Sequence, residues 1–189
     1  MSIKVLPLNM ENKELENLRY PIGYFQIPAT ITDAQIDLWI NELDEYPNKL
    51  RDLVKNLNEA QLDTPYRPNG WTVRQVIHHV SDSHHNSYLR FKWALTENKP
   101  LIKAYNEQAW AELFDTKTAP IELSLQHLKA VHAKLVYLLR GLDKSLLARE
   151  FIHPEGNVVT NLKENVGRYV HHGNHHFFHI KNLMVRNNW

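Results

Sequence analysis

Apolar residues recur at spacings of three and four along most of this chain, and each run opens on a residue that caps helices. After TDAQ (residues 32–35), apolar positions fall at Ile36, Leu38, Trp39, Ile40 and Leu43. Thr32 and Gln35 have the spacing of a capping box, in which each side chain satisfies the other's backbone N–H. Pro47 lacks the N–H that the helical ladder needs, so a break or kink is expected there, with a second piece running to about Asn58. TVRQ (residues 72–75) repeats the box and opens a long helix to about Glu97. Its stripe is Val73, Val76, Ile77, Val80, His84, Tyr88, Phe91 and Leu95. A polar connection and a short helix around residues 106–114 follow. Pro120 then stands at a first helical position, ahead of Leu125, Leu128, Val131, Leu135 and Leu138, and Gly141 ends the run. Residues 143–150 have room for a turn or two. NLKE (residues 161–164) is a third box, with a helix behind it to about Met184.

Residues 1–31 behave differently. Pro7, Pro21, Gly23 and Pro28 punctuate them and no period is sustained, which predicts an extended N-terminal arm laid over the surface. Residues 32–189 read as a single all-α domain, an antiparallel four-helix bundle, with strand signals almost absent. A chain of 189 residues is long enough to bury a sizeable core. The formal net charge of +1 gives no electrostatic reason to expect nucleic acid or an anionic membrane as partner. With no cysteine, disulfides, thiolate zinc sites and a cysteine nucleophile are excluded. No secretory leader pattern or membrane-spanning run is visible, so a cytoplasmic protein is the expectation.

Histidine is the anomaly: the chain has 12, and nine of them lie in WTVRQVIHHVSDSHH (residues 71–85) and YVHHGNHHFFHI (residues 169–180). In the second window His172 and His176 are four residues apart. They continue the apolar stripe of Leu162, Val166, Tyr169, Ile180 and Leu183, so both imidazoles face the interior one turn apart. A lone buried histidine is usually a hydrogen-bonded core residue. Two on one buried face need partners, and neutral imidazoles at this spacing are a common way to hold a transition metal. His171, His175 and His179 drift off that face and cannot all join the same ion. A further ligand must come from the first window. Periodicity puts His84 deepest and His78 and His79 on opposite flanks, and does not by itself choose between His79 and His84. His127 and His132 read as structural or exposed, and His153, before Pro154, as a loop residue. Gly173 costs its helix about 1 kcal/mol relative to Ala and would permit close approach of another backbone or a substrate.

The segment PYRPNGWTVRQVIHHVSDSHHNSYLRFKWALTE resembles the central motif of the DinB superfamily, in its YfiT-like branch of metal-dependent hydrolases and bacillithiol-transferase-like proteins. YNEQAWAEL, FIHPEG and YVHHGNHHFFHI continue the likeness in order, and YPIGYF fits near the start, so it covers about residues 20–189. The resemblance implies a four-helix bundle with one divalent metal ion per chain, zinc or nickel, held by His79, His172 and His176. It also implies a homodimer, for which Trp93, Phe177 and Phe178 could serve either the interface or the core. The chain departs from its relatives at His171, at Gly173–Asn174 and at His85, which points to an altered pocket rim.

Three neutral imidazoles leave an ion its full charge and open coordination positions, the catalytic pattern. Such a site can acidify water to a pKa of about 7 for hydrolysis, or deprotonate a thiol. The first reading is a metal-dependent hydrolase of a small-molecule substrate. The alternative is transfer of a low-molecular-weight thiol onto an electrophile. A third reading is a metal-binding stress protein without turnover. Gln75 and Asp82, one turn either side of His79, could orient its ring, and Glu107 and Trp110 are candidate pocket residues. No general base is assigned.

Overall fold

The structure, a computed structural model, describes residues 8–189, with side chains described from Lys13. Of the expected extended arm, residues 1–7 therefore lie outside the described residues. The remainder is not all extended: Leu8–Arg19 forms helix α1. Pro21 falls beyond it and does not interrupt it. Gly23, at φ +72°, takes the left-handed turn that leads into an irregular stretch before the bundle.

Helix α2, Asp33–Val54, runs unbroken through Pro47, where a break or kink was expected. Proline there leaves the Leu43 carbonyl without its i+4 donor. A side chain from another helix takes that place: His132 Nδ1 lies 2.5 Å from the Leu43 oxygen. A second short helix, α3, Glu59–Leu62, follows with a reciprocal cap between Asn58 and Gln61 that the apolar pattern does not reveal. Of the three boxes read from sequence, the one at Thr72 closes in both directions, opening α4, Val73–Thr96. Thr32 and Asn161 accept from the backbone N–H three residues on, without a return bond to their own N–H.

Where one short helix was expected there are two, α5, Glu107–Ala111, and α6, Phe114–Thr118. Pro120 caps α7, Ile121–Gly141, from just outside it. A 3-10 turn at Lys144–Ala148 precedes a small hairpin, β1, Glu150–His153, and β2, Val158–Asn161, antiparallel with Phe151 opposite Thr160. Its turn holds Gly156 and Asn157 at φ +74° and +51°. The strands are too short to show alternation, and His153 ends a strand where a loop was expected. Helix α8, Leu162–Arg186, closes the fold.

The four long helices pack in the ring α2–α7–α4–α8, each touching the next and α8 touching α2. Helices consecutive in the chain, α2 with α4 and α7 with α8, therefore sit diagonally. The same arrangement makes α4 and α8, the two histidine-rich helices, neighbours. Trp93 and Phe177 are partly buried and pack against the core.

The apolar core is in two parts. One holds Ile36, Trp39, Phe91, Leu135, Leu139 and Val166, and the other Leu50, Val76, Ile77, Leu128, Ile180 and Leu183. Between them, every long helix changes from one part to the other across a polar level containing Ser83, His84, Ser87, His132, Asn165 and His172. Tyr46 roofs this level, its ring stacked on those of His84 and His132 at centroid distances of 5.7 and 5.8 Å.

Candidate metal centre

Two turns into α4, His79 points sideways from the apolar stripe toward α8. There it meets His172 and His176, and one nitrogen from each ring lies within 4.8 Å of the others. The Nε2 atoms of His79 and His172 are 3.3 Å apart. Two nitrogens bound at 2.0–2.1 Å to one tetrahedral ion would be roughly 3.4 Å apart, so this pair already has the span of a shared cation. The geometry thus gathers His79, not the more deeply buried His84, with the α8 pair. A helix in a bundle faces two neighbours, and the flank of α4 faces α8.

The electrostatics suit a cation. Burial pulls the His79 imidazole down to about 4, with the His175 charge adding to it. His172 and His176 fall well below the ordinary imidazole value, again mainly through burial, then through their histidine neighbours. All three are neutral near pH 7 and offer lone pairs without first losing a proton. The Trp71 ring covers His79 at a centroid distance of 4.6 Å. Donor type, spacing and protonation all fit a divalent ion, and among the described residues this is the one such group of histidines and acids.

The remaining histidines sort by depth. His84 is 1% exposed, and its Nε2 lies 3.2 Å from His172 Nδ1 while its Nδ1 lies 2.8 Å from His132 Nε2. His132 is equally buried, so it is structural in place and not exposed. Its position four residues after Leu128 on the α7 stripe was the available signal. His179, expected off the face, is buried too. Its Nδ1 is 3.3 Å from His176 Nδ1 and its Nε2 2.9 Å from the Arg19 carbonyl oxygen of α1. His78 bonds Ser124 and the Ala119 carbonyl, and His127 lies between Ser81 and His85. His171 reaches the Gly23 carbonyl.

Two cavities of about 650 and 310 Å³ meet at the site, and His172, Glu107 and Gln108 line both. The larger adds Ser83, Arg90, Tyr105, His153 and Glu155; the smaller adds Tyr66, Trp71, His79 and His176. Glu107 therefore stands on the wall common to both, where partial desolvation and the Glu155 charge raise its carboxyl above the ordinary range. Trp110 lines neither cavity. It is 39% exposed and packs on Tyr105. Gln75 does not orient His79: its amide oxygen caps Thr72 and its nitrogen donates to the Ala111 carbonyl, tying α4 to α5. Asp82 is half-buried on another face, its carboxyl raised to about 6 by burial and by Asp115.

Comparison with known proteins agrees with this architecture. Residues 42–180 match the profile of the DinB superfamily. A Bacillus mycoides protein named "Putative metal-dependent hydrolase" is 50% identical over 175 residues, covering 93% of this chain and 100% of that one. A Bacillus cereus (strain 03BB102) protein of the same name has the same identity and coverage. YfiT from Bacillus subtilis, described as "a probable metal-dependent hydrolase with an unusual four-helix bundle topology", superposes with a TM-score of 0.90 at 47% identity. That match covers 92% of this chain and 99% of YfiT. The diagonal placement of consecutive helices described above is how the bundle here departs from a simple up-and-down order. With the profile spanning most of the chain and half the residues identical over nearly all of it, this protein belongs to the DinB superfamily.

Proposed function

We propose that this protein is a metal-dependent hydrolase of a small molecule, with His79, His172 and His176 holding one zinc or nickel ion. The observation that carries the reading is the convergence of three neutral imidazoles, two buried and one partly buried, at the junction of two cavities. When bound, a divalent ion there supplies Lewis acidity and acidifies water toward neutral pH. The protein's own groups do the rest. Trp71 covers one side of the His79 and His176 imidazoles. Glu107, on the shared wall with a raised pKa, is placed to take a proton from a nucleophile entering either cavity. Arg90 gives the larger cavity a cation for an anionic group on the substrate.

One observation favours a second reading, transfer of a low-molecular-weight thiol. Two cavities flanking one site can seat two reactants, and the chain supplies no sulfur nucleophile of its own. The test begins with protein purified without a metal-affinity step, its metal content measured by mass spectrometry beside a His172→Ala/His176→Ala double variant. About one divalent ion per chain in the parent and little in the variant supports the site. Ester and amide hydrolysis are then assayed against conjugation of small thiols to electrophiles. Equal trace metal in both proteins, with no uptake of added zinc or nickel, overturns the reading.

A further inference from the structure

Two rows of imidazoles run back from the site, and each ends on a backbone carbonyl that its own helix leaves free. The longer row crosses the whole bundle and uses one residue from each long helix. From the site inward it passes from His172 on α8 to His84 on α4, to His132 on α7, to the Leu43 carbonyl on α2, with separations of 3.2, 2.8 and 2.5 Å. Pro47 is why that carbonyl is available. The shorter row passes from His176 to His179 to the Arg19 carbonyl, at 3.3 and 2.9 Å. Arg19 is the last residue of α1, where helical carbonyls lack an intrahelical donor.

A carbonyl oxygen only accepts, and this fixes the direction of every bond in the row. Two facing ring nitrogens at 2.8 to 3.3 Å bond only when one donates and the other accepts, and a neutral ring offers one N–H and one lone pair. His132 must donate from Nδ1 to Leu43, so its Nε2 accepts. His84 must then donate from Nδ1, so its Nε2 accepts. His172 in turn donates from Nδ1. The same logic makes His179 donate from Nε2 to Arg19 and accept at Nδ1, so His176 donates from Nδ1. In both cases the ligand-candidate ring is left with an unprotonated Nε2.

We infer that these two carbonyl-anchored rows set the tautomers of His172 and His176 in advance, presenting both Nε2 lone pairs to the site before any ion arrives. His84, His132 and His179 are positioning residues in this scheme. Because each row ends on a backbone carbonyl, which has no proton to pass on, neither can carry a proton out of the protein. The rows hold ring orientation and lone-pair direction only. The inference rests on the metal reading for its purpose, though not for the tautomers themselves.

Metal-stripped protein labelled with ¹⁵N-histidine is examined by long-range ¹H–¹⁵N correlation near pH 7.5, with rings assigned from single-histidine variants. The expected result is an Nδ1–H tautomer at His84, His132, His172 and His176, the minor form of imidazole in water, and Nε2–H at His179. An Nε2–H tautomer at His172 or His176 in the parent overturns the inference, whatever the variants do. His132→Phe keeps a ring in place but removes the acceptor for His84. It should move His172 toward Nε2–H and weaken zinc binding about 10- to 100-fold. His179→Phe should do the same to His176 and leave His172 unchanged. If either variant weakens binding with its ligand ring's tautomer unaltered, the role is packing alone and the inference fails. Zinc titration of the parent is the separate arm. If zinc does not bind while the tautomers are as expected, the metal reading fails and the rows stand.

Discussion

The Leu43 carbonyl and the His132 ring meet at 2.5 Å across the α2–α7 interface, at the point where Pro47 leaves that carbonyl without a donor. His132→Ala removes the donor and opens a cavity at a position 1% exposed. Lost packing and an unsatisfied buried carbonyl together should cost about 3 kcal/mol. Urea denaturation of parent and variant reads this directly, and a difference below about 1 kcal/mol would show that the contact carries little weight.

Acid should loosen the metal-free protein earlier than carboxylates alone would cause. Burial lowers His132 to about 4 and His179 to about 3 in the folded state, against 6.5 for an ordinary imidazole. Between pH 6.5 and about 4 the unfolded chain binds more protons than the folded one. Stability is therefore full above pH 6.5 and falls as pH drops through this window, by up to about 1.4 kcal/mol per pH unit for each such group. Denaturation at pH 7.5 and 5.0 should show the fall, and His132→Phe should make it shallower. A flat profile would mean these rings are hydrated in the folded state.

The glycines of α8 differ in what stands over them. A Cβ at Gly167 would come within 2.7 Å of the Trp39 ring, and one at Gly173 within 3.1 Å of the Tyr46 ring. Overpacking costs about 1–3 kcal/mol, against a gain of about 1 kcal/mol in helix preference. Gly167→Ala should be destabilising by about 2 kcal/mol and Gly173→Ala by less than about 1 kcal/mol. Thermal melts that rank the two in the opposite order would contradict this packing. Tyr46 also identifies the group that Gly173 admits: an aromatic side chain of α2, where sequence reading left open a backbone or a substrate.

Glu107→Gln separates holding an ion from using it. The residue lines both cavities but is outside the histidine cluster, so metal content should stay within about twofold while turnover falls by about 100-fold or more. Metal analysis beside steady-state kinetics on whichever substrate the screen finds gives both numbers. Unchanged turnover removes Glu107 from the proton chemistry.

Much of the bundle was legible because its signals are local. Thr72 and Gln75 sit three residues apart, Pro120 and Gly141 bracket α7, and the stripes of α4 and α8 repeat within single helices. The helix at Leu8–Arg19 was hidden by the turn residues Pro21 and Gly23 that follow closely on it. The hairpin was hidden by strands of four residues, too short for alternation to register. Pro47 misled for a different reason. Its orphaned carbonyl finds a donor 89 residues away, which no pattern within α2 can announce. The pairing of His172 with His176 follows from helical spacing. Placing His79 beside them and His84 behind them depends on which neighbour each flank of α4 faces, a property of the ring order of helices.

That ring order has a consequence for how the molecule comes to exist. Synthesis runs from α2 through α4 and α7 to α8, so the first three leave the ribosome before His172 and His176 do. Until those last turns arrive, His84 and His132 must sit in an open groove with water where the missing helix belongs. Within the four-helix core the histidine cluster is thus the last part the nascent chain can assemble, and a product that stopped before Tyr169 would hold His79 without the two imidazoles it faces.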